Sequence, residues 1–296
     1  MKKVSLFLLC SLFAVVGCEK QSDEVIKVSD FPTTVVSGAF KFALKSVSST
    51  TRTQIPSEEE FEKNMVKYMV DEQGPTFETD YNEAKCINLF NKKVVAIDAI
   101  ESADFESPDF NSAKFVDVFF KSLNISGLFA QEASAMSLNA SVFMNNFYEE
   151  LETNFKSLSL NALNADNIDE NKFTDALTSF GNKYLLQAES LQVNLQEKVR
   201  IKAGIQMFLS NIIPTVGFAF SDTAMDSGSA SRSWFKKLCK YVAKAVVVVA
   251  CLVGGAVAGI AVGTLGGEPG MVAGAVAGIV GGYYLQSHLN RQIDKW

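Results

Sequence analysis

Residues 245–285 read AVVVVACLVGGAVAGIAVGTLGGEPGMVAGAVAGIVGGYYL, an apolar stretch in which Glu268 is the single charged residue. The first 21 of these residues are uncharged, and ten of them are Val, Leu or Ile. At about 1.5 Å per residue, a helix of that length reaches roughly 30 Å, the thickness of a bilayer core. A Gly-rich breaker at 266–270 then precedes a second uncharged run at 271–285. Because the connection is so short, the two apolar helices must lie antiparallel, which predicts a helical hairpin over 234–296.

The glycines of this hairpin recur at intervals of four residues. They form two sets, Gly255, Gly259, Gly263 and Gly267, and Gly270, Gly274, Gly278 and Gly282. A spacing of four places each set on one helix face, where the missing side chains let two backbones pack closely. A glycine costs about 1 kcal/mol relative to alanine inside a helix, so such a series requires a close neighbour. The segment resembles the glycine-zipper segments of bacterial envelope proteins, including two-helix glycine-zipper lipoproteins. This resemblance implies a membrane-associated or self-associating hairpin.

The flanks of the hairpin carry side chains suited to a membrane surface. The predicted interfacial anchors are Trp234, Lys236, Lys237, Lys240, Tyr241, Tyr283, Tyr284 and Trp296. Amphipathic rings are enriched where lipid meets water. Residues 234–296 contain six basic and two acidic residues, a net charge of +4, whereas residues 19–233 contain 19 basic and 31 acidic residues, a net charge of −12. The tail, unlike the body, is therefore suited to an anionic lipid surface. We expect membrane lipid as a partner and, through the glycine zipper, a second copy of the chain.

The amino terminus has the layout of a secretory signal. A basic start is followed by an apolar run at 4–16 and the pair Gly17-Cys18. This run is too short to span a bilayer. The sequence VVGC at 15–18 resembles a bacterial lipobox, with Val in place of the commoner Leu, and the resemblance implies that Cys18 is acylated and begins the mature chain. The alternative is an ordinary cleaved signal in which the cysteine is incidental.

A charged tract, EKQSDE, occupies residues 19–24 directly after Cys18. It resembles the short acidic tract that marks Bacteroidota lipoproteins for the outer face of the outer membrane. We therefore expect a protein that is lipid-anchored to the outer membrane and exposed at the cell surface. A solvated tether on a periplasmic protein is the alternative.

The body of the chain predicts helices. Residues 109–213 contain no proline, and their apolar residues recur with a period near 3.6. Predicted helices lie at 57–72, 81–100, 112–124, within 131–158, and within 169–213 with an irregularity near Gly181 or Gly204. The sequence thus predicts an all-α fold, a helical bundle with a C-terminal apolar antiparallel hairpin. The predicted divisions are a lipoprotein signal peptide at 1–17, a lipidated amino terminus and tether at 18–55 that partly packs on the bundle, a bundle domain at 56–221, a linker at 222–233 and the hairpin at 234–296.

Signals for catalysis and metal binding are missing from the sequence. No GxSxG, HExxH or GxxxxGK[ST] pattern occurs, and the single histidine, His288, is too few for a His-rich zinc site. The acidic stretch at 164–170 lacks the central glycine and final glutamate of an EF-hand, so we expect Asp169 to cap a helix there. We therefore expect no enzyme, catalytic residue, cofactor or metal and, for an acidic chain, no nucleic-acid partner.

The two ends of the chain support one leading hypothesis and two alternatives. The leading hypothesis is a lipid-anchored cell-envelope protein that acts without catalysis, through membrane association or self-assembly of the glycine-zipper hairpin. The first alternative is an antibacterial or pore-forming toxin that inserts the hairpin into a target membrane, similar in layout to colicin-type pore formers. The second is a helical lipoprotein that binds an unidentified protein partner and whose hairpin is purely structural.

Replacing Cys18 by alanine is expected to abolish lipidation, because the cysteine thiol of a lipobox is the group to which the lipid is attached. Metabolic labelling with an alkyne fatty acid should mark the wild-type chain and leave Cys18→Ala unlabelled. Cys10→Ala, in the signal but outside the lipobox, is the matched control and should keep the label. A labelled Cys18→Ala chain would overturn the lipobox interpretation.

Overall fold

The computed structural model describes residues 32–48, 56–86, 95–165, 167–221, 232–262 and 267–296. Its helices are α1 (Thr33–Ser48), α2 (Glu58–Gln73), α3 (Thr76–Cys86), α4 (Ser102–Glu106), α5 (Ser112–Leu123), α6 (Ile125–Ala133), α7 (Leu138–Asn164), α8 (Glu170–Glu189), α9 (Leu195–Ser221), α10 (Arg232–Val262) and α11 (Gly267–Ile293). These described residues form no strand, which confirms the all-α fold class. The signal peptide, Cys18, the tract at 19–24 and residues 222–231 of the predicted linker lie outside the described residues.

Capping side chains mark where two of the helices begin. Ser57 accepts a hydrogen bond from the backbone N–H of Glu60 at 3.2 Å and so caps α2. Asp169 accepts hydrogen bonds from the backbone N–H groups of Asn171 and Lys172 at 3.1 and 3.2 Å and caps α8. Each cap satisfies backbone donors that the first helical turn leaves without a partner. The predicted cap at Asp169 is confirmed.

The predicted irregularity inside 169–213 is wrong in its position. The chain breaks between α8 and α9, at residues 190–194, whereas Gly181 and Gly204 both lie inside regular helices. Gly181 is a packing residue, because a Cβ atom there would lie 2.6 Å from a side-chain methyl of Leu209 on α9. The missing side chain brings α8 and α9 together and does not end a helix.

Two other predicted helices differ from the structure in their bounds. The helix predicted at 81–100 begins earlier, as α3, and the described residues 95–100 are loop and turn. The region 131–158 is divided between the end of α6 and the start of α7. By contrast, the helices predicted at 57–72 and 112–124 are confirmed as α2 and α5 to within one residue at either end.

The hairpin of α10 and α11 lies at the centre of the molecule. Helices α6, α7 and α9 pack against α10, and α1, α2 and α3 pack against α11. We refer to α1–α9 as the shell. Buried side chains of the shell and the hairpin form one continuous apolar core. The bundle predicted at 56–221 and the hairpin predicted at 234–296 therefore share one core, because the amphipathic shell helices bury their apolar faces against the hairpin.

Helix α1 also belongs to this core. The sequence places its residues in a tether at 18–55 that partly packs on the bundle, and Val36, Ala39 and Phe40 are buried where α1 packs against α9 and α11. These residues share one helical face, so α1 contributes an apolar stripe to the interior. Residues 33–48 are therefore part of the core, and residues 18–31 and 49–55 of the predicted tether lie outside the described residues.

Removing the Phe40 ring tests whether α1 is a structural helix. Phe40 is 1% exposed, and truncation of a buried phenylalanine to alanine costs about 3–5 kcal/mol. We expect Phe40→Ala to lower the free energy of unfolding by that amount in guanidinium denaturation. Lys41→Ala, at the exposed neighbouring position, should change it by less than about 0.5 kcal/mol. Equal stability of the two variants would contradict the placement of α1 in the core.

Candidate functional site: the buried glycine hairpin

The two helices of the hairpin touch through their backbones. A Cβ atom on Gly259 would overlap the carbonyl oxygen of Gly274, and a Cβ on Gly274 would overlap that of Gly259. Likewise, a Cβ on Gly278 would overlap the carbonyl oxygen of Gly255, and one on Gly282 that of Cys251. Contacts therefore recur every four residues, and each contact four residues earlier in α10 lies four residues later in α11, as antiparallel helices require. No residue with a side chain fits at Gly259, Gly274, Gly278 or Gly282 without moving the helices apart.

We call this contact the glycine seam, formed by Gly255, Gly259, Gly274, Gly278 and Gly282. The other three predicted zipper glycines are Gly263, Gly267 and Gly270. Gly270 is buried near the start of α11, whereas Gly267 is exposed and has a φ of 83°, a left-handed conformation that suits glycine at the turn. Gly263 lies outside the described residues.

A second close contact, which the spacing of four did not reveal, joins the hairpin to the shell at Gly254. A Cβ atom there would lie 2.8 Å from the Phe129 ring of α6. Phe129 stacks on Tyr148 with 4.5 Å between ring centroids, and the Tyr148 hydroxyl donates a hydrogen bond to the Gly254 carbonyl at 3.4 Å. The sequence signal is the Gly254-Gly255 doublet, because neighbouring residues point to different sides of a helix. One glycine faces α11 and the other faces the shell.

The shell encloses the hairpin almost completely. Every residue from Ala245 to Ala261 in α10, and from Gly270 to Tyr283 in α11, is buried. By length and apolar composition, two described helices could cross a bilayer, α9 and α10. Of the 18-residue apolar stretch in each, 56% is buried in α9 and 94% in α10. The core helix of a soluble protein meets the same criterion. Helix α11 is not one of the two, since its glycines contribute little hydropathy.

The predicted aromatic anchors lie at the open end of the hairpin, where most of them pack against the shell. The Trp296 ring lies 6.0–6.3 Å, between centroids, from three phenylalanine rings, those of Phe105, Phe115 and Phe119. Tyr283 stacks on Phe61 of α2 with a centroid distance of 3.6 Å. Trp234 is half-buried, and Tyr241 donates a hydrogen bond to the carbonyl of Phe220 at the end of α9. In this conformation the rings face protein instead of solvent.

The predicted basic anchors remain closer to the surface. Lys237 is exposed, and the Lys236 ammonium lies 5.3 Å above the Phe105 ring. Lys240 donates a hydrogen bond to the backbone carbonyl of Asp294 at 3.1 Å, and Lys244 forms an ion pair with the Asp294 carboxylate. Partial burial lowers the pKa of Lys240, and the charge of Lys236 lowers it further, while Asp294 opposes both effects. The basic flank of the hairpin is thus only partly neutralised within the chain.

One carboxylate joins the shell to the hairpin. Glu62 of α2 accepts hydrogen bonds from the Tyr284 hydroxyl of α11 at 2.6 Å and from the Tyr81 hydroxyl of α3 at 3.1 Å, and it pairs with Lys85. We call these four side chains the Glu62 clasp. Burial acts to raise the pKa of Glu62, but the hydrogen bonds from Lys85 and the two tyrosines and the charge of Lys85 outweigh it, and the pKa lies below its ordinary value. The clasp is therefore strongest when Glu62 is ionised.

A second polar attachment lies near the carboxyl end of α11. The amide of Gln292 donates a hydrogen bond to the carbonyl of Val95 at 2.9 Å and accepts one from the backbone N–H of Ile97 at 2.7 Å. Arg291 reaches Glu58 of α2 at 3.3 Å. The specific polar bonds between α11 and the shell thus gather at the open end, whereas the enclosed part of the hairpin is held by apolar packing and by the hydrogen bond of Tyr148 to Gly254.

Among the described residues, no group of three or more His, Cys, Asp or Glu side chains is placed to bind a metal ion. Comparison with known proteins finds no matching family model, no similar curated protein and no similar solved structure.

Gly259→Ala tests the glycine seam. Its Cβ would overlap backbone atoms, which cannot rotate away, so we expect the free energy of unfolding to fall by about 1–3 kcal/mol, the usual cost of overpacking. Gly217→Ala in α9 is the matched control, because a Cβ there has open space. This control should be neutral or more stable by up to about 1 kcal/mol, the difference in helix propensity. Equal effects of the two variants in chemical denaturation would count against close backbone contact.

Proposed function

We propose that this chain is a lipid-anchored cell-envelope protein that acts without catalysis, by associating with a membrane through the hairpin of α10 and α11. The described conformation is then a closed state in which the shell covers the hairpin. The observation that carries this proposal is the enclosure of an uncharged apolar stretch, Ala245 to Ala261, on every side. A helix that is apolar all round is stable in a protein core or in lipid, and is not stable in water.

The glycine seam suits a hairpin that moves between these two environments. Helix association in lipid has no hydrophobic driving force and depends on close van der Waals packing of small residues. The seam supplies this packing from within the hairpin, so the pair could leave the shell as a unit without losing its internal contact. Since the seam is filled by α10 and α11 of one chain, it favours membrane association over self-assembly through the zipper glycines.

The distribution of charge also supports movement of the hairpin from the shell into lipid. The described hairpin has no charged residue between Lys244 on α10 and Glu268 at the start of α11. Its basic residues and both tryptophans lie at the open end, which would remain in the headgroup layer while the apolar part entered the lipid. Lipid anchoring at Cys18 and exposure on the outer membrane remain part of the proposal on the strength of the amino-terminal sequence.

A pore-forming toxin is the second candidate, and the enclosure of the hairpin favours it as well. A chain that must cross an aqueous space before meeting a target membrane needs its apolar hairpin covered. The layout resembles that of colicin-type pore formers, in which a helical body carries a hydrophobic hairpin. The two candidates differ in the outcome of insertion, since an anchor leaves the bilayer sealed and a pore does not.

Acid should promote membrane binding, because it weakens the Glu62 clasp. A carboxyl with a lowered pKa in the folded state contributes stability above its unfolded pKa, and that contribution is lost as the pH falls through the folded pKa. Glu62→Gln should cost about 1–3 kcal/mol of closed-state stability, the usual value for hydrogen bonds to a charged group. It should accelerate binding to anionic vesicles at neutral pH about tenfold per 1.4 kcal/mol lost.

Flotation with dye-loaded vesicles of phosphatidylglycerol and phosphatidylethanolamine measures both binding and leakage. Glu59→Gln, at an exposed position one turn before the clasp, is the matched control and should bind as the wild type does. Shallow brominated lipids should quench the fluorescence of Trp234 and Trp296 on insertion. Binding with the dye retained supports the anchor, and dye release supports the pore. No binding of either chain at any pH would leave the hairpin as a purely structural core and refute both membrane functions.

A further inference from the structure

A cavity of about 370 Å³ lies at the open end of the hairpin, between it and the shell. Its wall includes Gln286, Asn290 and Arg291 of α11, Lys244 of α10, and Glu58 at the start of α2. The volume lies within the range of roughly 300–1,000 Å³ that is usual for small-molecule sites. The cavity therefore has the size of a ligand site and touches both parts that must separate if the hairpin leaves the shell.

The polar groups in the wall are not fully satisfied by the protein. Gln286 is 3% exposed, and neither its Oε1 atom nor Oδ1 of Asn290 meets a hydrogen-bond donor within the described part of the chain. A buried amide without a partner costs about 1–3 kcal/mol, so such groups call for an explanation. A side-chain amide can turn either its oxygen or its NH₂ group to a ligand. Two neighbouring unpaired amides are suited to a ligand with several polar atoms.

The charged groups in the wall are balanced. Arg291 pairs with Glu58, and Lys244 pairs with Asp294, so two cations and two anions line one cavity. A purely anionic or purely cationic ligand would be attracted by one member of each pair and repelled by the other. A zwitterion can place its anionic group at the cations and its ammonium group at the carboxylates and amide oxygens. Guanidinium and ammonium groups are both strong binders of phosphate.

We infer that this cavity binds a phosphate ester that carries an ammonium group, the chemistry of an ethanolamine phosphate headgroup. Because Glu58 belongs to the shell and Arg291 to the hairpin, the bound group contacts both parts and stabilises the closed state by mass action. The binding itself does not depend on the membrane function proposed above. The same chemistry occurs in a membrane lipid and in a free phosphate ester, and the test separates these two sources.

Thermal unfolding of the full mature chain in the presence of sn-glycero-3-phosphoethanolamine tests the site. We expect a saturable rise in Tm with this probe, and a smaller rise with glycerol 3-phosphate, which lacks the ammonium group, or with ethanolamine, which lacks the phosphate. Gln286→Leu should lose the rise in Tm while the unliganded chain keeps its stability, because an unpaired buried amide is removed. Thr178→Val, which removes another buried oxygen without a partner among the described residues, is the matched control and should keep the rise.

Arg291→Gln provides a second variant at an exposed ion pair, in case Gln286→Leu does not fold. Arg291→Gln should raise the probe concentration that gives half of the full Tm rise at least fivefold. No saturable rise with the wild type, an equal rise with glycerol 3-phosphate or ethanolamine, or an unchanged rise in both variants would overturn the inference.

Vesicles with and without phosphatidylethanolamine then identify the source. Competition between these vesicles and the soluble probe assigns the site to the lipid, whereas probe binding without competition assigns it to a free phosphate ester. A chain that binds the probe but no vesicle at any pH would refute the membrane function and leave this site standing. A chain that binds vesicles but not the probe would refute this site and leave the membrane function standing.

Discussion

The contact on which this structure depends is the approach of two helix backbones along the glycine seam. At Gly259 and Gly274 each backbone occupies the space that a side chain of the other would need. The resulting pair is a narrow apolar unit that the shell can surround from all sides. Because α10 and α11 lie so close, α9, α6 and α7 reach one side of the unit while α1, α2 and α3 reach the other. A wider hairpin would leave some of these helices without an apolar surface to cover.

The shell and the hairpin are joined by two different kinds of interaction. Along the enclosed length the contacts are apolar, apart from the hydrogen bond of Tyr148 to Gly254, and their strength depends on the exclusion of water, which lipid would also provide. At the open end the contacts are polar and specific, through Glu62, Gln292 and Arg291. Polar contacts of this kind respond to pH and to ligands, and apolar packing does not. In the proposed membrane function, opening is therefore controlled at the end of the hairpin that carries the tryptophans and lysines. The cavity lined by Lys244 and Arg291 lies at the same end.

Several local features could be predicted from residues that act on their immediate neighbours. Asp169 was identifiable as a cap because a carboxylate before an apolar periodic run has few other roles, and α5 was identifiable from its apolar period. The break between α8 and α9 was placed wrongly, because glycine in a sequence signals either a helix end or a close contact. Gly181 is the second kind, and only its neighbour Leu209, 28 positions further along the chain, decides between the two. For a similar reason, the sequence does not identify Val36 and Phe40 as the part of the tether that packs on the bundle, since a short apolar helix needs a partner surface that the local sequence does not contain.

The sequence by itself determined the fold class and the antiparallel hairpin with its glycines on one face, because helical periodicity, chain breakers and spacing of four are properties of neighbouring residues. It also determined that the basic residues and tryptophans of the hairpin gather at its open end. Only the tertiary structure decided that the hairpin is the centre of the fold and not an appendage, and that Gly254 contacts the shell while Gly255 faces α11. The apolar pattern of α10 is the same for a helix in lipid and a helix in a core. Which surroundings it has depends on distant segments, including α1 and the ring of Phe129, whose positions are fixed by packing across the whole chain.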